Sequence, residues 1–258
     1  MSDQPVTYAV ADGVATITLN RPDAKNRLDV EAMGMVREFL AEASGDDAVR
    51  VIVLTGSGTT FCSGADLAGA VAATEGGFAA GGTSGLVSLL ADMLDHPKPL
   101  IARVQGHVAG GGNGLVAACD IAVASADAKF AFSEVRVGVA PAIISVVCLQ
   151  VMHRRDAQEL LLTGERVTAE RVLRAGLITS VVETDALDAA VQGYVDALLL
   201  AGPEAVSNTK DLLRRVPAMT RDDAFAWTAE MSAGLFTSAE AREGMTAFLE
   251  KRKPTWAP

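Results

Sequence analysis

An α/β fold with a helical C-terminal region is predicted for this 258-residue chain by three observations. Short β-branched runs at 49–54 and 100–104 have the composition of buried strands. Segments with helical apolar spacing lie between them. From about residue 143 the periodicity is almost wholly helical, so strand–helix alternation gives way to helices.

The elements follow in order. Residues 6–10 and 14–19 alternate apolar and polar around Asp12-Gly13, as a hairpin does. Asp29 is placed to cap a helix reaching Ala43, with Met33, Val36, Phe39 and Leu40 on one face. The strand at 49–54 leads into a Gly/Ser-rich loop, 55–67. Residues 69–85 hold six glycines and five alanines and are expected to be mobile. A helix over 86–94 stops before Pro97 and Pro99. A strand at 100–104, a glycine loop at 106–112, a short apolar helix to Cys119 and a strand at 120–124 follow. Beyond them come a short strand at 177–182 and helices near 185–200, 203–215, 221–235 and 238–250. Thr220 with Asp223 resembles a capping box. No internal repeat is visible.

Half the residues are hydrophobic and 21% are charged, which excludes a disordered or fibrous chain. Lys and Arg total 22 against 32 Asp and Glu, a net charge of −10. Such a surface repels phosphate backbones, so no nucleic-acid partner is expected. Any anionic ligand must then be held by a local basic cluster or by backbone N–H groups. Cys62, Cys119 and Cys148 form no CxxC pair, and the first basic residue is Arg21, so no disulfide framework and no signal peptide are expected. No uncharged run reaches the roughly 18–20 apolar residues that span a bilayer. A cytoplasmic protein without a membrane partner is the expectation.

Several familiar chemistries fail on spacing. Gly56-Ser57-Gly58 has Phe61 where a dinucleotide loop needs its third glycine. There is no Walker phosphate loop, no serine flanked by glycines two residues away on both sides, and no HExxH. His96, His107 and His153 lack metal spacing, so no metal is expected.

Two glycine loops remain, each after a buried strand: Phe61-Cys-Ser-Gly-Ala-Asp-Leu67, and Gly106-His-Val-Ala-Gly-Gly-Gly-Asn-Gly114 leading to Cys119-Asp120-Ile121. Together with Leu19-Asn20-Arg21-Pro22, the stretch Phe130 to Glu134, Gly138, Leu161-Leu162-Thr163-Gly164, Ala175-Gly176-Leu177 and Phe248 to Arg252, their order resembles the enoyl-CoA hydratase/isomerase (crotonase) superfamily over nearly the whole chain. The resemblance implies a spiral of ββα units in a core domain, 1–195. It also implies a helical region, 196–258, that packs homotrimers or homohexamers and contributes to the CoA site. The implied substrate is an acyl-CoA thioester, with no cofactor beyond the coenzyme A it carries. The implied activity is that of an enoyl-CoA hydratase-type lyase.

By the same resemblance the backbone N–H groups of Ala65 and Gly111 form an oxyanion hole, where one lost donor typically costs roughly 2.7–4 kcal/mol of barrier. Ser63, Asp66, Leu67, Gly110 and Pro141 line the substrate site. Lys25, Arg27, Phe248 and Lys251 serve the CoA end. Two glutamates are expected to share the acid–base work. The second is Glu134. The first belongs at 114, where this chain has Gly114. Three accounts follow. Glu134 works alone, with Gly114 leaving room for a bulkier acyl chain; a single base shifts a double bond, making the protein an isomerase; or Glu75 supplies the missing group. A non-catalytic acyl-CoA binder is a further alternative. The run Pro141-Ala-Ile-Ile-Ser145 replaces a glycine-rich stretch, and its isoleucines narrow and grease the acyl pocket.

Overall fold

The computed structural model describes residues 4–65 and 77–258. A six-stranded sheet and a four-stranded sheet share the core. The larger has its strands in the order 6–11, 14–19, 51–56, 100–104, 121–125 and 180–182, and the smaller in the order 60–62, 107–109, 129–131 and 166–168. β1 (Val6–Ala11) and β2 (Val14–Leu19) form the expected hairpin, with Asp12 and Gly13 both at positive φ in its turn. Three strand pairs follow. In each, the first strand enters the large sheet and the second the small one: β3 (Val51–Gly56) with β4 (Thr60–Cys62), β5 (Leu100–Val104) with β6 (His107–Ala109), and β7 (Ile121–Ser125) with β8 (Lys129–Ala131). All neighbours within these two sets are parallel. Each pair is followed by helical structure: α2 (Gly77–Asp95), α3 (Gly111–Ala118) and a 3₁₀ turn, Ser133–Val137. This is a ββα spiral. The repeat escapes a sequence scan because its turns start unevenly, at Val51, Leu100 and Ile121, and its second strands are three residues long.

Burial follows the apolar patterning. Every residue of β3 is buried, and Phe61, Phe130 and Phe132 are nearly inaccessible to solvent. α1 (Val30–Gly45) turns Met33, Val36, Leu40 and Ala43 inward, and Phe39 stacks on Tyr8 with ring centroids 5.0 Å apart. Asp29 caps it, accepting from the Ala32 N–H at 2.8 Å. The other side of the large sheet is covered by α7 (Leu187–Leu200), whose Leu187, Val191 and Val195 meet Val51, Val53, Ile101 and Val123. Between them lie α4 (Ala142–Val151), α5 (Arg154–Thr163), β9 (Arg166–Thr168), α6 (Ala169–Arg174) and β10 (Ser180–Val182).

Four expectations need correction. Helix α2 begins at Gly77, nine residues before the expected start, so 77–85 is helical although rich in glycine; residues 69–76 lie outside the described residues. The glycine loop 106–112 is a strand, β6, followed directly by the first residues of α3. The strand expected at 49–54 is shifted two residues, and that expected at 177–182 keeps only its last three.

The C-terminal helices α8 (Pro203–Arg215), α9 (Arg221–Phe236) and α10 (Ala239–Glu250) match the expected positions, and α7 runs through position 195. They are joined to the core by polar links. Lys210 pairs with Asp120 at 2.7 Å, and Arg50 donates to the carbonyls of Ala201 and Trp256. Glu240 accepts from the Glu204 and Ala205 N–H groups at the start of α8. Leu213, Phe225, Phe236, Phe248 and Leu249 are each at least 70% exposed. Among the described residues no helix is long and apolar enough to cross a membrane.

Candidate active site

A cavity of about 330 Å³ opens beyond the C-terminal ends of β4, β6 and β8. Its lining includes Ser63, Ala65, Gly110, Gly111, Glu134 and Pro141 from the sequence expectations. Leu86, Val137, Val139, Ile143 and Ile144 make it strongly apolar.

Its backbone side is built by two turns pressed together. Gly64 has φ +85°, and a Cβ placed there would lie 2.8 Å from the Ala109 carbonyl oxygen and 3.0 Å from the Gly111 nitrogen. Only glycine fits such an approach. Gly110, at φ +50°, caps α3 and donates to the Ala131 carbonyl at 3.2 Å. The first turn is anchored from the other side. Leu28 donates to the Gly64 carbonyl at 2.8 Å, and Ser63 donates to that of Lys25 at 3.1 Å. Leu28 also forms an isolated parallel bridge with Ala65. Among the described residues, neither the Ala65 nor the Gly111 N–H has a protein acceptor. Gly111 is the first residue of α3, whose orphan N–H groups and dipole favour negative charge.

Glu134 is the second residue of the 3₁₀ turn after β8 and faces Gly110; a Cβ at 110 would stand 3.6 Å from its Oε1. Its Oε2 is buried without a hydrogen-bond partner among the described residues. Burial pushes the carboxyl above the ordinary glutamate range, partly offset by its own backbone N–H. A desolvated carboxylate without a counter-ion is a strong base for its type, placed in a cleft beside unengaged donors. The neighbouring thiols have raised pKa values. Burial raises those of Cys62 and Cys148 to about 12.

The position expected to carry the first glutamate is closed. A Cβ at Gly114 would lie 2.7 Å from Ile144 Cγ2, so the space beside Gly114 is filled and offers no extra room for an acyl chain. That corrects the part of the first account in which Gly114 leaves room for a bulkier acyl chain. Glu75, Asp66 and Leu67 lie outside the described residues.

The residues assigned to the CoA end divide. Lys25 is exposed in the left-handed conformation on the loop that holds Ser63, and Arg27 is half-buried two residues on. Lys25 has basic company. The pKa of His107 is lowered, chiefly by burial and further by Arg166, Lys25 and Lys129. In a chain of net charge −10 this is a local positive cluster. Phe248 and Lys251 stand on and just after α10, outside the residues that line the cavity.

Two buried asparagines were missed. Asn26 accepts from the Arg21 N–H and donates to the carbonyls of Ser57 and Thr60, locking the Lys25 loop onto the first turn. Asn113 donates to Gly110 and Ala131, tying the second turn to the strand that carries Glu134. Asn26 adopts a left-handed φ, which asparagine tolerates.

The family model for enoyl-CoA hydratase/isomerase matches residues 9–258. The chain belongs to the enoyl-CoA hydratase/isomerase family. Among relatives of this family member, the (E)-benzylidenesuccinyl-CoA hydratase of Thauera aromatica is 34% identical over 260 residues, covering 98% of each chain. The short-chain-enoyl-CoA hydratase of Clostridium acetobutylicum is 31% identical, covering 93% of this chain and 92% of that protein. The solved structure of an enoyl-CoA hydratase from Mycobacterium smegmatis superposes with a TM-score of 0.93 at 33% identity, covering 98% and 99% of the two chains. The ββα spiral is the fold of this crotonase superfamily, and the family places the protein among enzymes of the enoyl-CoA hydratase/isomerase type acting on acyl-CoA.

Proposed function

We propose that the protein is an enoyl-CoA hydratase-type lyase that adds water to the double bond beside the thioester carbonyl, with Glu134 as its one acid–base group. One observation carries this reading: among the described residues, a single desolvated carboxylate lines the same apolar cavity as two N–H groups without acceptors. The thioester oxygen accepts from Ala65 and Gly111. The Glu134 carboxylate removes a proton from water as the water oxygen bonds to C3, and the double-bond electrons move onto the carbonyl oxygen as an enolate. The carboxylic acid so formed returns the proton to C2 as the enolate collapses. Preorganised donors in a site of low dielectric make the enolate accessible. The names of the Thauera and Clostridium relatives support hydration.

The substrate's coenzyme A is the only cofactor this reading needs. Lys25, Arg27 and Lys251 are assigned to its phosphates, and Phe248 to the face of its nucleotide. Exposed apolar side chains on α8 to α10 support homotrimers or hexamers in which these helices are covered.

A second reading, double-bond isomerisation, is favoured by the apolar wall of Ile144 against Gly114. There Glu134 removes a C2 proton from a 3-enoyl thioester and returns it to C4. Product analysis from 2-enoyl-CoA and 3-enoyl-CoA tests both. A hydroxyacyl-CoA product supports hydration, a shifted double bond supports isomerisation, and binding without turnover by the wild type contradicts both in favour of a binder.

A further inference from the structure

Ile144 occupies the first turn of α4 and is 2% exposed. One side of it sits in a notch on α3. A Cβ at Gly114 would meet its Cγ2 at 2.7 Å and its Cβ at 3.2 Å, with Leu90 Cδ1 at 3.5 Å closing the same space. Its other side lines the cavity with Glu134, Pro141 and Ile143. A β-branched side chain in a helix has one strongly preferred rotamer, so Ile144 cannot swing aside. One turn further along α4, Cys148 is buried with its Sγ 3.8 Å from the Asn113 carbonyl, so the two helices cannot easily part there. Gly114 follows Gly111 by three residues on α3, which places this wall about 4.5 Å along the helix from an N–H without an acceptor among the described residues. Among the described residues, Glu134 is the one charged side chain that lines the cavity.

We propose that Ile144, held in the notch at Gly114, is the residue that sets acyl-group size, and that the acyl group accepted is a neutral aliphatic chain of limited girth. The inference rests on the acyl-CoA reading above. Gly114 has no side chain because Ile144 must sit there, and Ile144 sits there because it forms the end wall. Among the described residues, Glu134 is the one charged side chain that a carboxylate-bearing acyl group would meet in the cavity, and no cation lines it, so like-charge repulsion and desolvation exclude such a group.

The test is a comparison of kcat/KM for butenoyl-, hexenoyl-, decenoyl- and glutaconyl-CoA in the wild type and in Ile144→Val, Ile144→Ala, Gly114→Ala and the Gly114→Ala/Ile144→Ala double variant. Truncating Ile144 is expected to raise the decenoyl-to-butenoyl ratio by about tenfold or more, the usual scale for methylenes in an apolar pocket. Gly114→Ala pushes Ile144 into the cavity and moves the ratio the opposite way; the double variant returns toward Ile144→Ala. Glutaconyl-CoA is the poorest substrate of the wild type. An unchanged ratio in a folded Ile144→Ala, or in Ile144→Val should the alanine variant not fold, overturns the inference, as does efficient use of glutaconyl-CoA. Should the wild type turn over none of these thioesters, the enzymatic reading fails. The ratio of dissociation constants for butyryl-CoA and decanoyl-CoA in the same variants then decides the size inference on its own.

Discussion

Gly111 and Gly114 stand one turn apart on α3 in different surroundings. At Gly111 a Cβ would stand 3.3 Å from Leu28 Cδ1; the residue lines the cavity, and among the described residues its N–H has no protein acceptor. At Gly114 the missing side chain serves the protein, because Ile144 fills the space. Two glycines in one short helix therefore say nothing alike about function. What separates them is the partner each admits, and that partner lies far away in sequence. Among the described residues, one side of the cavity is thus main chain plus one carboxylate, whereas the opposite side is interlocked side chains.

The comparison is broken most severely at Glu134, the group both halves face. Glu134→Gln keeps the shape and removes the base; kcat is expected to fall about 10²–10⁴-fold while acyl-CoA binding persists. Parallel turnover and calorimetric titration check this, and retained turnover would remove Glu134 from the mechanism. Next comes Gly111→Pro. Proline is tolerated at the first position of a helix but has no N–H, so α3 should survive while kcat drops about 10²–10³-fold. A circular dichroism spectrum like the wild type's alongside undiminished kcat would show that this N–H is not used.

At the other glycine the cost is structural. Gly114→Ala overpacks the α3–α4 contact and should destabilise by about 1–3 kcal/mol in denaturant titration, with Ile144→Ala in the same chain recovering most of it. Additive losses in the double variant would mean that the two positions are not coupled.

The smallest effect is a pH dependence. Burial holds the Glu134 pKa above its unfolded value, so folding takes up protons and the penalty for the buried charge is present above the folded pKa and absent below the unfolded one. Glu134→Gln is therefore expected to be more stable than the wild type at neutral pH, with the difference vanishing near pH 4. Activity should fall with acid from a higher pH than for an exposed glutamate. Thermal melts of both proteins across that range check the sign. A stability difference that grows toward acid would contradict the desolvated carboxylate.

Where the sequence carries local instructions, the fold is legible from it. The caps at Asp29, Thr220 and Ser238 and the prolines at 203 and 217 put helix ends where they stand. The small sheet is not legible. Strands of three residues have no measurable alternation, and Thr60, Phe61 and Cys62 are all buried, so neither period nor polarity marks them. The start of α2 is hidden by glycines whose low propensity is overridden by packing against α1 and α3. At the site, Glu134 and the two glycine turns stand out because ordered motifs carry them. The Ile144–Gly114 seat joins positions thirty apart through the crossing of two helices, and neither residue type hints at it. Asn26 and Asn113 are silent for the same reason. Their acceptors are backbone carbonyls brought close by the fold.

The account turns on two amides polarising one carbonyl. Difference infrared spectroscopy of a 2-enoyl-CoA labelled with carbon-13 at the thioester carbonyl, bound to Glu134→Gln so that nothing turns over, reads that directly. The stretch should move to lower wavenumber on binding, and much of the shift should disappear when Gly111→Pro is added. A bound carbonyl that keeps its solution frequency, or a shift indifferent to Gly111→Pro, contradicts it.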